Sequence, residues 1–344
     1  MVKIGIIGCG GIARRRHIPE FAANPDVKIV GYFNPTTSRA VEMAKQYSGQ
    51  VYDSYEALFA DQEIDAVAIC TANSTHAPIT IAALQAGKHV LCEKPMATSV
   101  ADGEKMITAA RQAGKYLMIA HNQRLYSAHA KAKEILLRGE LGRILTFRTA
   151  FTHKGPEKFS INKTVTSWFF NKDAAVLGVL GDLGVHKADL VRWLIEDEIE
   201  EVMAMVMTLD KKGPDGKPIE IDDNAMCILK SKTGIQGTLT AGWSNYGVKD
   251  DWTVIYCAGG VIKLYCNPEY SLEIIKRDGE RILHRFDQDP ANQGGVKSGI
   301  ADQFIDCIVK GKSPEISGEA GLAALKIVFA CMESSASGKK IKIN

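Results

Sequence analysis

Met1-Val2-Lys3-Ile4-Gly5-Ile6-Ile7-Gly8-Cys9-Gly10-Gly11-Ile12-Ala13 is the stretch whose reading decides the fold. Residues 3–7 read as a buried strand, the glycines as the turn that ends it, and residues 13–23 as the helix that follows. In that frame Gly8-Cys9-Gly10-Gly11-Ile12-Ala13 fits G-x-G-x-x-A. Gly8 permits the tight turn, Gly10 lets backbone approach a pyrophosphate, and Ala13 is small enough for the helix to pack on the sheet. Gly11 and Ile12 complete the loop, and the helix start presents unpaired N–H groups and a positive dipole end to phosphate. A glycine turn in a cofactor-free domain is the bland alternative, and the strand and helix on either side weigh against it.

Working outward, further strands are predicted at 28–33, 51–52, 66–70, 89–92 and 116–120, with helices at 38–47, 55–60, 78–86 and 101–113. Short apolar strands alternating with helices make a parallel, doubly wound α/β sheet. Gly87 and Gly114 follow helix ends as C-terminal caps do. At the end of the second strand, where an acid would hold an NAD ribose, stands Asn34. It carries no charge to repel a 2′-phosphate, and Arg39 and its hydroxyl neighbours are donors, so the lean is to NADP or dual use. Thr36 or Ser38 capping the next helix, with Arg39 solvated, is the structural alternative.

After residue 120 the pattern changes. A helix at 128–138, a strand at 144–151, an irregular stretch at 153–173 and a helix at 183–195 precede strands running from 202 to 286. Hairpin signals at 232–234, 258–260 and 277–279 separate those strands, so an open, mostly antiparallel sheet is predicted, with helices on one face. Helices at 300–310 and 319–337 close the chain. Two domains follow: a dinucleotide-binding Rossmann domain at 1–122 and an α+β domain for substrate binding and oligomerisation at 123–344.

Of the 344 residues, 46% are hydrophobic and 24% charged, and the net charge is +2. Basic and acidic residues are interspersed, which gives no reason to expect nucleic acid or membrane as partner. Arg14-Arg15-Arg16 reads as a helix face. The eight cysteines form no C-x-x-C pair, so free thiols, no metal site and a cytoplasmic location are expected. The N-terminal arginines come after the apolar run, the reverse of a signal peptide.

Two further segments carry a resemblance. One is Thr71-Ala72-Asn73-Ser74-Thr75-His76, continued by the block ending Cys92-Glu93-Lys94-Pro95; the other is Gly181-Asp182-Leu183-Gly184-Val185-His186. With the glycine loop and Asn122-Gln123-Arg124, they resemble the glucose–fructose oxidoreductase/inositol dehydrogenase/rhizopine catabolism (Gfo/Idh/MocA) family nearly end to end. The resemblance implies NAD or NADP in the first domain, a small polyhydroxylated substrate on the second, and a homodimer or homotetramer. It implies that Lys94, Asp182 and His186 are the catalytic trio. It also implies that Thr71, Asn73, His76, Glu93, Lys94 and Arg124 line the dinucleotide, and that Pro95 follows a cis peptide. The chain departs from the family at Asn34, Ala72, Ser127 and the 178–181 approach to Asp182.

The residue types suit the chemistry. Oxidising an alcohol needs a base for the O–H proton, and an imidazole with an unperturbed pKa of ~6.5 is neutral and ready near pH 7. A lysine ammonium stabilises developing alkoxide charge, whereas a lysine base would need its pKa lowered from ~10.4 to near 7. Asp182 and His186, four apart, share a helix face if both lie in the helix. A surface Asp–His pair is the alternative, outweighed here by the Glu93-Lys94-Pro95 block. Among secondary candidates, His153 and Trp168 are placed at the substrate side. Asp189 with Arg192 reads as a structural pair, and His129 as an exposed helix residue. Hydride transfer on a sugar, sugar acid or cyclitol is the leading reading. A redox-neutral glycoside-cleaving or epimerising enzyme is second, and a non-catalytic dinucleotide-binding regulator third.

Overall fold

The computed structural model describes residues 1–158, 161, 164, 167–286 and 297–343. They form two compact units. One comprises Met1–Asn122, Asp173–Val176 and Gly294–Leu322; the other comprises Gln123–Lys172, Leu177–Gln293 and Ala323–Asn344.

In the first unit β1 (Val2–Ile7) leads through a helical turn at Ala13–His17 into α1 (Ile18–Ala23). Then come β2 (Val27–Phe33), α2 (Thr37–Tyr47), β3 (Gln50–Val51), α3 (Tyr55–Ala60), β4 (Ala66–Ile69), α4 (Asn73–Gln85), β5 (His89–Cys92), α5 (Val100–Ala113) and β6 (Leu117–Ile119). The strands lie in the order β3-β2-β1-β4-β5-β6, all parallel. β4 is buried along its whole length, which is why it reads as an unbroken apolar run. Local chemistry sets the helix ends. The hydroxyls of Ser54 and Ser99 accept from the N–H groups of Ala57 and Asp102, and Gly114 closes α5 at φ +61°.

Two expectations need correction here. The helix predicted from 78 begins at Asn73, with Pro78 inside it. Pro78 forfeits one internal hydrogen bond. The Thr75 N–H on the Ala72 carbonyl (3.0 Å) and the buried Asn73, His76, Ala77 and Thr80 carry the helix past that loss. The boundary at 122 also does not divide the chain cleanly, because α9 (Ile300–Lys310) folds with the first unit. The Glu20 carboxylate accepts from Ser298 N–H (2.6 Å) and Ala301 N–H (3.4 Å), and so caps the start of α9, while Asn24 donates to Asp302 (2.6 Å).

In the second unit α6 (Ser127–Leu137) and β7 (Ile144–Thr152) come first, and α7 (Lys172–Ala175) passes into the segment that groups with the first unit. A turn at Leu180–Gly184 opens α8 (Val185–Ile195). β8 (Ile199–Met207), β9 (Asn224–Ser231), β10 (Gln236–Gly242), β11 (Thr253–Cys257), β12 (Gly260–Leu264), β13 (Leu272–Lys276) and β14 (Arg281–His284) follow. The sheet runs β14-β13-β12-β11-β7-β10-β9-β8-β15, antiparallel except for the β7/β10 pair, with β15 (Ile341–Lys342) an unpredicted edge on β8. The parallel pairing brings the C-terminal ends of β7 and β10 side by side, and His153 N–H bonds to the Gly242 carbonyl there (2.9 Å). α10 (Gly318–Ser337) is long and apolar enough to cross a membrane by length and composition. Here Leu325, Val328 and Cys331 are buried, and Ser334 and Ser335 accept from Ala204 and Val206 N–H at 3.0 and 2.8 Å, so it packs as a core helix on β8.

Two side chains differ from expectation. His129 is buried: its Nδ1 lies 2.7 Å from the Gln123 carbonyl and its ring stacks on Tyr126. Asp189 pairs with Arg124 rather than Arg192, through Nε (2.7 Å) and Nη2 (2.5 Å), and Arg192 turns to Glu198. Residue spacing cannot choose between a partner one turn away and a buried one 65 positions back. Removal from water favours the bidentate pair.

Candidate active site

In the first unit the loop between β1 and the Ala13–His17 turn has the geometry that its glycines imply. Gly8 sits at φ +91°, and a Cβ there would lie 2.6 Å from the Cys70 carbonyl oxygen, so the fold itself demands glycine. Gly10 is different. A Cβ on it would meet only that same oxygen, at 4.0 Å, among the described residues, so nothing packed against it there requires the bare backbone. Asn34 accepts from Cys9 N–H (2.9 Å) and donates to the Thr36 carbonyl (3.0 Å), so it braces the loop against the end of β2. Thr36 stands at the N-cap of α2 with no capping bond from its side chain. Arg39 is half-buried, and no carboxylate among the described residues pairs with it.

The Glu93-Lys94-Pro95 turn leaves the end of β5 with a cis Lys94–Pro95 bond, as the resemblance implies. Glu93 is buried. One carboxylate oxygen lies 2.7 Å from His17 Nε2 and the other accepts from Lys94 N–H at 3.1 Å. Burial raises its pKa, but the His17 hydrogen bond and charge, then Lys94 and Arg16, outweigh that and hold it down at about 2. His76 lies between the carbonyls of Pro95 (Nδ1, 2.8 Å) and Thr71 (Nε2, 3.2 Å) and ties the loops after β4 and β5 together. Burial lowers its pKa against the two carbonyls and the Glu93 charge, which favour the charged ring. Thr71 Oγ1 accepts from Thr75 Oγ1 (2.7 Å), and Asn73 donates to the Ala175 carbonyl (3.0 Å).

In the second unit the approach to Asp182 is clamped by the start of β9. Asp222 accepts from Gly178 N–H (3.0 Å) and Leu180 N–H (2.8 Å), and its own carbonyl accepts from Val179 (2.8 Å). Burial raises the Asp222 pKa against those backbone donors. A Cβ on Gly178 would lie 2.0 Å from the Asp222 carbonyl oxygen. Asp182 is half-buried inside the Leu180–Gly184 turn, and its Oδ2 accepts from Trp243 Nε1 at 3.1 Å. His186, one turn on in α8, is buried with its ring 5.8 Å from Phe151.

Of the other candidates, His153 follows β7 and its Nδ1 accepts from Gly155 N–H (3.0 Å), while its ring meets Phe151 edge-on at 6.2 Å. Trp168 stacks on Phe169 at 3.9 Å; the member of that aromatic trio that reaches Trp243 is Phe170, at 5.9 Å. Arg124 is committed to Asp189 within the second unit. The glycine loop, Asn34, Arg39, Thr71, Asn73, His76, Glu93 and Lys94 thus lie in one unit. Asp182, His186, His153, Trp168 and Arg124 lie in the other. Sequence reasoning missed His17, Asp222 and Trp243. None belongs to a motif. No cluster of metal-ligating side chains occurs among the described residues.

Residues 2–121 match the oxidoreductase family with an NAD-binding Rossmann fold, and residues 129–263 match the Gfo/Idh/MocA C-terminal domain. The chain belongs to the Gfo/Idh/MocA family. It is 27% identical to the 1,5-anhydro-D-fructose reductase of Ensifer adhaerens over 347 aligned residues, covering 100% of this chain and 99% of that one. It is 30% identical to the levoglucosan dehydrogenase of Pseudarthrobacter phenanthrenivorans, over 72% of this chain and 68% of the other. A levoglucosan dehydrogenase solved with NADH and levoglucosan superposes with a TM-score of 0.88 at 26% identity, over 99% of both chains.

Proposed function

We propose that Lys94, Asp182 and His186 carry the chemistry of this NAD(P)-dependent sugar or cyclitol oxidoreductase. The observation that supports the assignment best is the helix start of the second unit. There Asp182 is fixed by an indole N–H and by a backbone clamp from Asp222, one turn before a buried imidazole. A surface pair would need no such support. The glycine loop, with Gly10 bare for no internal reason, fits the dinucleotide pyrophosphate. Asn73 and Thr71 stand at the start of α4, and Lys94 in the turn after β5. A nicotinamide dinucleotide held by the glycine loop would supply or accept the hydride. His186 takes the proton of the reacting hydroxyl, Asp182 fixes substrate and imidazole, and the Lys94 ammonium stabilises alkoxide charge.

The finer reading of the cofactor is NADP or dual use, supported by uncharged Asn34 and by Arg39, which has no carboxylate partner among the described residues. The domain roles follow, with the first unit binding dinucleotide and the second binding a sugar, sugar acid or cyclitol and forming the oligomer, in the cytoplasm. The oligomer reading draws on exposed Met203, Met205, Met226 and Ile228, which form cross-strand pairs on β8 and β9.

A panel of polyols and sugars, assayed with NAD and NADP for wild type and Lys94→Ala, tests the proposal. Net dinucleotide reduction by a polyol is expected, abolished in Lys94→Ala with dinucleotide Kd within about threefold. Sugar conversion without net dinucleotide turnover would establish the redox-neutral reading instead. A fully active Lys94→Ala would refute the assignment.

A further inference from the structure

We propose that Trp243 is a positioning residue that sets the orientation of the Asp182 carboxylate through its indole N–H; the inference rests on the reading of Asp182 as a reacting-site residue. Trp243 is fully buried, yet it follows a strand whose exposed face is polar, and burial alone asks only for an apolar side chain there. An indole brings one feature that phenylalanine lacks, a donor with no acceptor capacity. That donor is spent on Asp182 Oδ2 at 3.1 Å.

The backbone around this contact is fixed on every side. Trp243 N–H bonds to the Asp223 carbonyl at 2.8 Å, and Asp223 is itself immobilised, its carboxylate accepting from Leu209, Asp210 and Lys211 N–H at 2.7–2.8 Å. The adjacent Asp222 holds Gly178 and Leu180, and Asp182 N–H bonds to the Gly178 carbonyl at 3.0 Å. The residue pair 222–223 therefore grips both ends of the indole–carboxylate contact: Asp223 the strand end with Trp243, Asp222 the helix start with Asp182. Phe170, edge-on to the indole at 5.9 Å, packs its flank. A rigid donor on one carboxylate oxygen restricts rotation of the group about its Cβ–Cγ bond, which is what a group that steers a substrate hydroxyl or an imidazole needs.

The test is a kinetic cycle of Trp243→Phe, Asp182→Asn and the double variant, run with the polyol and dinucleotide that wild type turns over. Trp243→Phe keeps the ring in place and removes the donor. It should lower kcat about ten- to hundredfold with the dinucleotide KM within about twofold, the loss that one hydrogen bond to a charged group carries. In the Asp182→Asn background, where the acceptor is a neutral amide oxygen, the same substitution should cost severalfold less in kcat than it does in wild type. A second measurement stands if Trp243→Phe does not fold. The chain has four tryptophans, so the Trp243 indole N–H resonance can be assigned with variants of the other three, and it should move upfield in Asp182→Asn. An unchanged kcat in Trp243→Phe, an equal loss in both backgrounds, or an indole resonance indifferent to Asp182→Asn overturns the proposal. If Asp182→Asn itself keeps wild-type kcat, the reading of Asp182 fails, and the role of Trp243 with it. An impaired Asp182→Asn beside an unaffected Trp243→Phe refutes the indole's role alone.

Discussion

Two helices in this chain open on a wide turn, and the two turns are held by different means. In the first unit Ile18 N–H reaches back five residues to Ala13; in the second Val185 N–H reaches back five to Leu180. Such turns insert extra backbone into a helix and redirect the side chains on it. The first delivers His17 to Glu93 and the second carries Asp182. The first turn is braced largely by motif residues, with Gly8 at the turn and Asn34 on the Cys9 amide. The second is braced by Asp222 and Trp243, which lie 44 and 61 positions from the residues they hold and in no motif. A local motif is legible in the sequence; the residues that brace a turn can come from anywhere in the sheet.

The comparison breaks most easily at His186. If it is the base, His186→Asn should lower kcat/KM for alcohol oxidation by roughly 10²–10⁴ and remove the acid-side limb of the pH profile. A small loss with that limb intact would make His186 a binding residue and move the proton to Lys94.

The glycines sharpen it next. Gly178→Ala forces a Cβ into the Asp222 backbone and should cost about 3 kcal/mol or more in urea unfolding, or prevent folding. Gly10→Ala meets only one atom at 4.0 Å, so its unfolding midpoint should stay near wild type while dinucleotide Kd rises at least about tenfold. The reverse pattern would mean that Gly10 serves the fold and Gly178 does not.

These glycines also show what was legible. The parallel sheet, the antiparallel sheet, the hairpin positions and the cis Lys94–Pro95 bond all followed from apolar periodicity, turn chemistry or the family resemblance. The start of α4 did not, because Pro78 resembles a first-turn proline, and only tertiary burial of Asn73 and His76 extends the helix back past it. The Arg124–Asp189 pair and buried His129 were hidden for a related reason: a helix face shows its spacing but not what covers it. α9 was assigned to the wrong half since nothing local in it reports Glu20, some 280 positions earlier.

Proton linkage separates the regions further. Glu93 is held at about 2, below its ordinary 4.5, so it contributes stability that is fully present above pH ~4.5 and is lost as pH falls toward 2. The stability advantage of wild type over Glu93→Gln should therefore shrink by about 2–3 kcal/mol between pH 5 and pH 2 in urea titrations. Asp222 is shifted the other way, upward by burial, so its contribution is present at low pH and declines as pH rises through its folded value. Comparing Asp222→Asn with wild type should give a slope of opposite sign. Parallel slopes for the two variants would show that both carboxylates are held alike.

The smallest effect is expected at Asn34, where the loop brace and the proposed cofactor contact compete. Asn34→Asp keeps an acceptor for Cys9 N–H and strengthens it with charge, and a carboxylate there accepts from the ribose 2′-OH and repels a 2′-phosphate. The same change replaces the amide that donates to the Thr36 carbonyl with a second oxygen, so two acceptors face each other where a bond stood. The substitution should raise the NAD over NADP ratio of kcat/KM about tenfold, while loop stability falls by about 1 kcal/mol. Asn34→Ser offers the control: it loses both braces without adding charge, so stability should drop with little change in the ratio. If both variants move the ratio equally, the preference is set by loop geometry. If neither does, Asn34 braces the loop alone, and Arg39 is the residue to test for phosphate recognition.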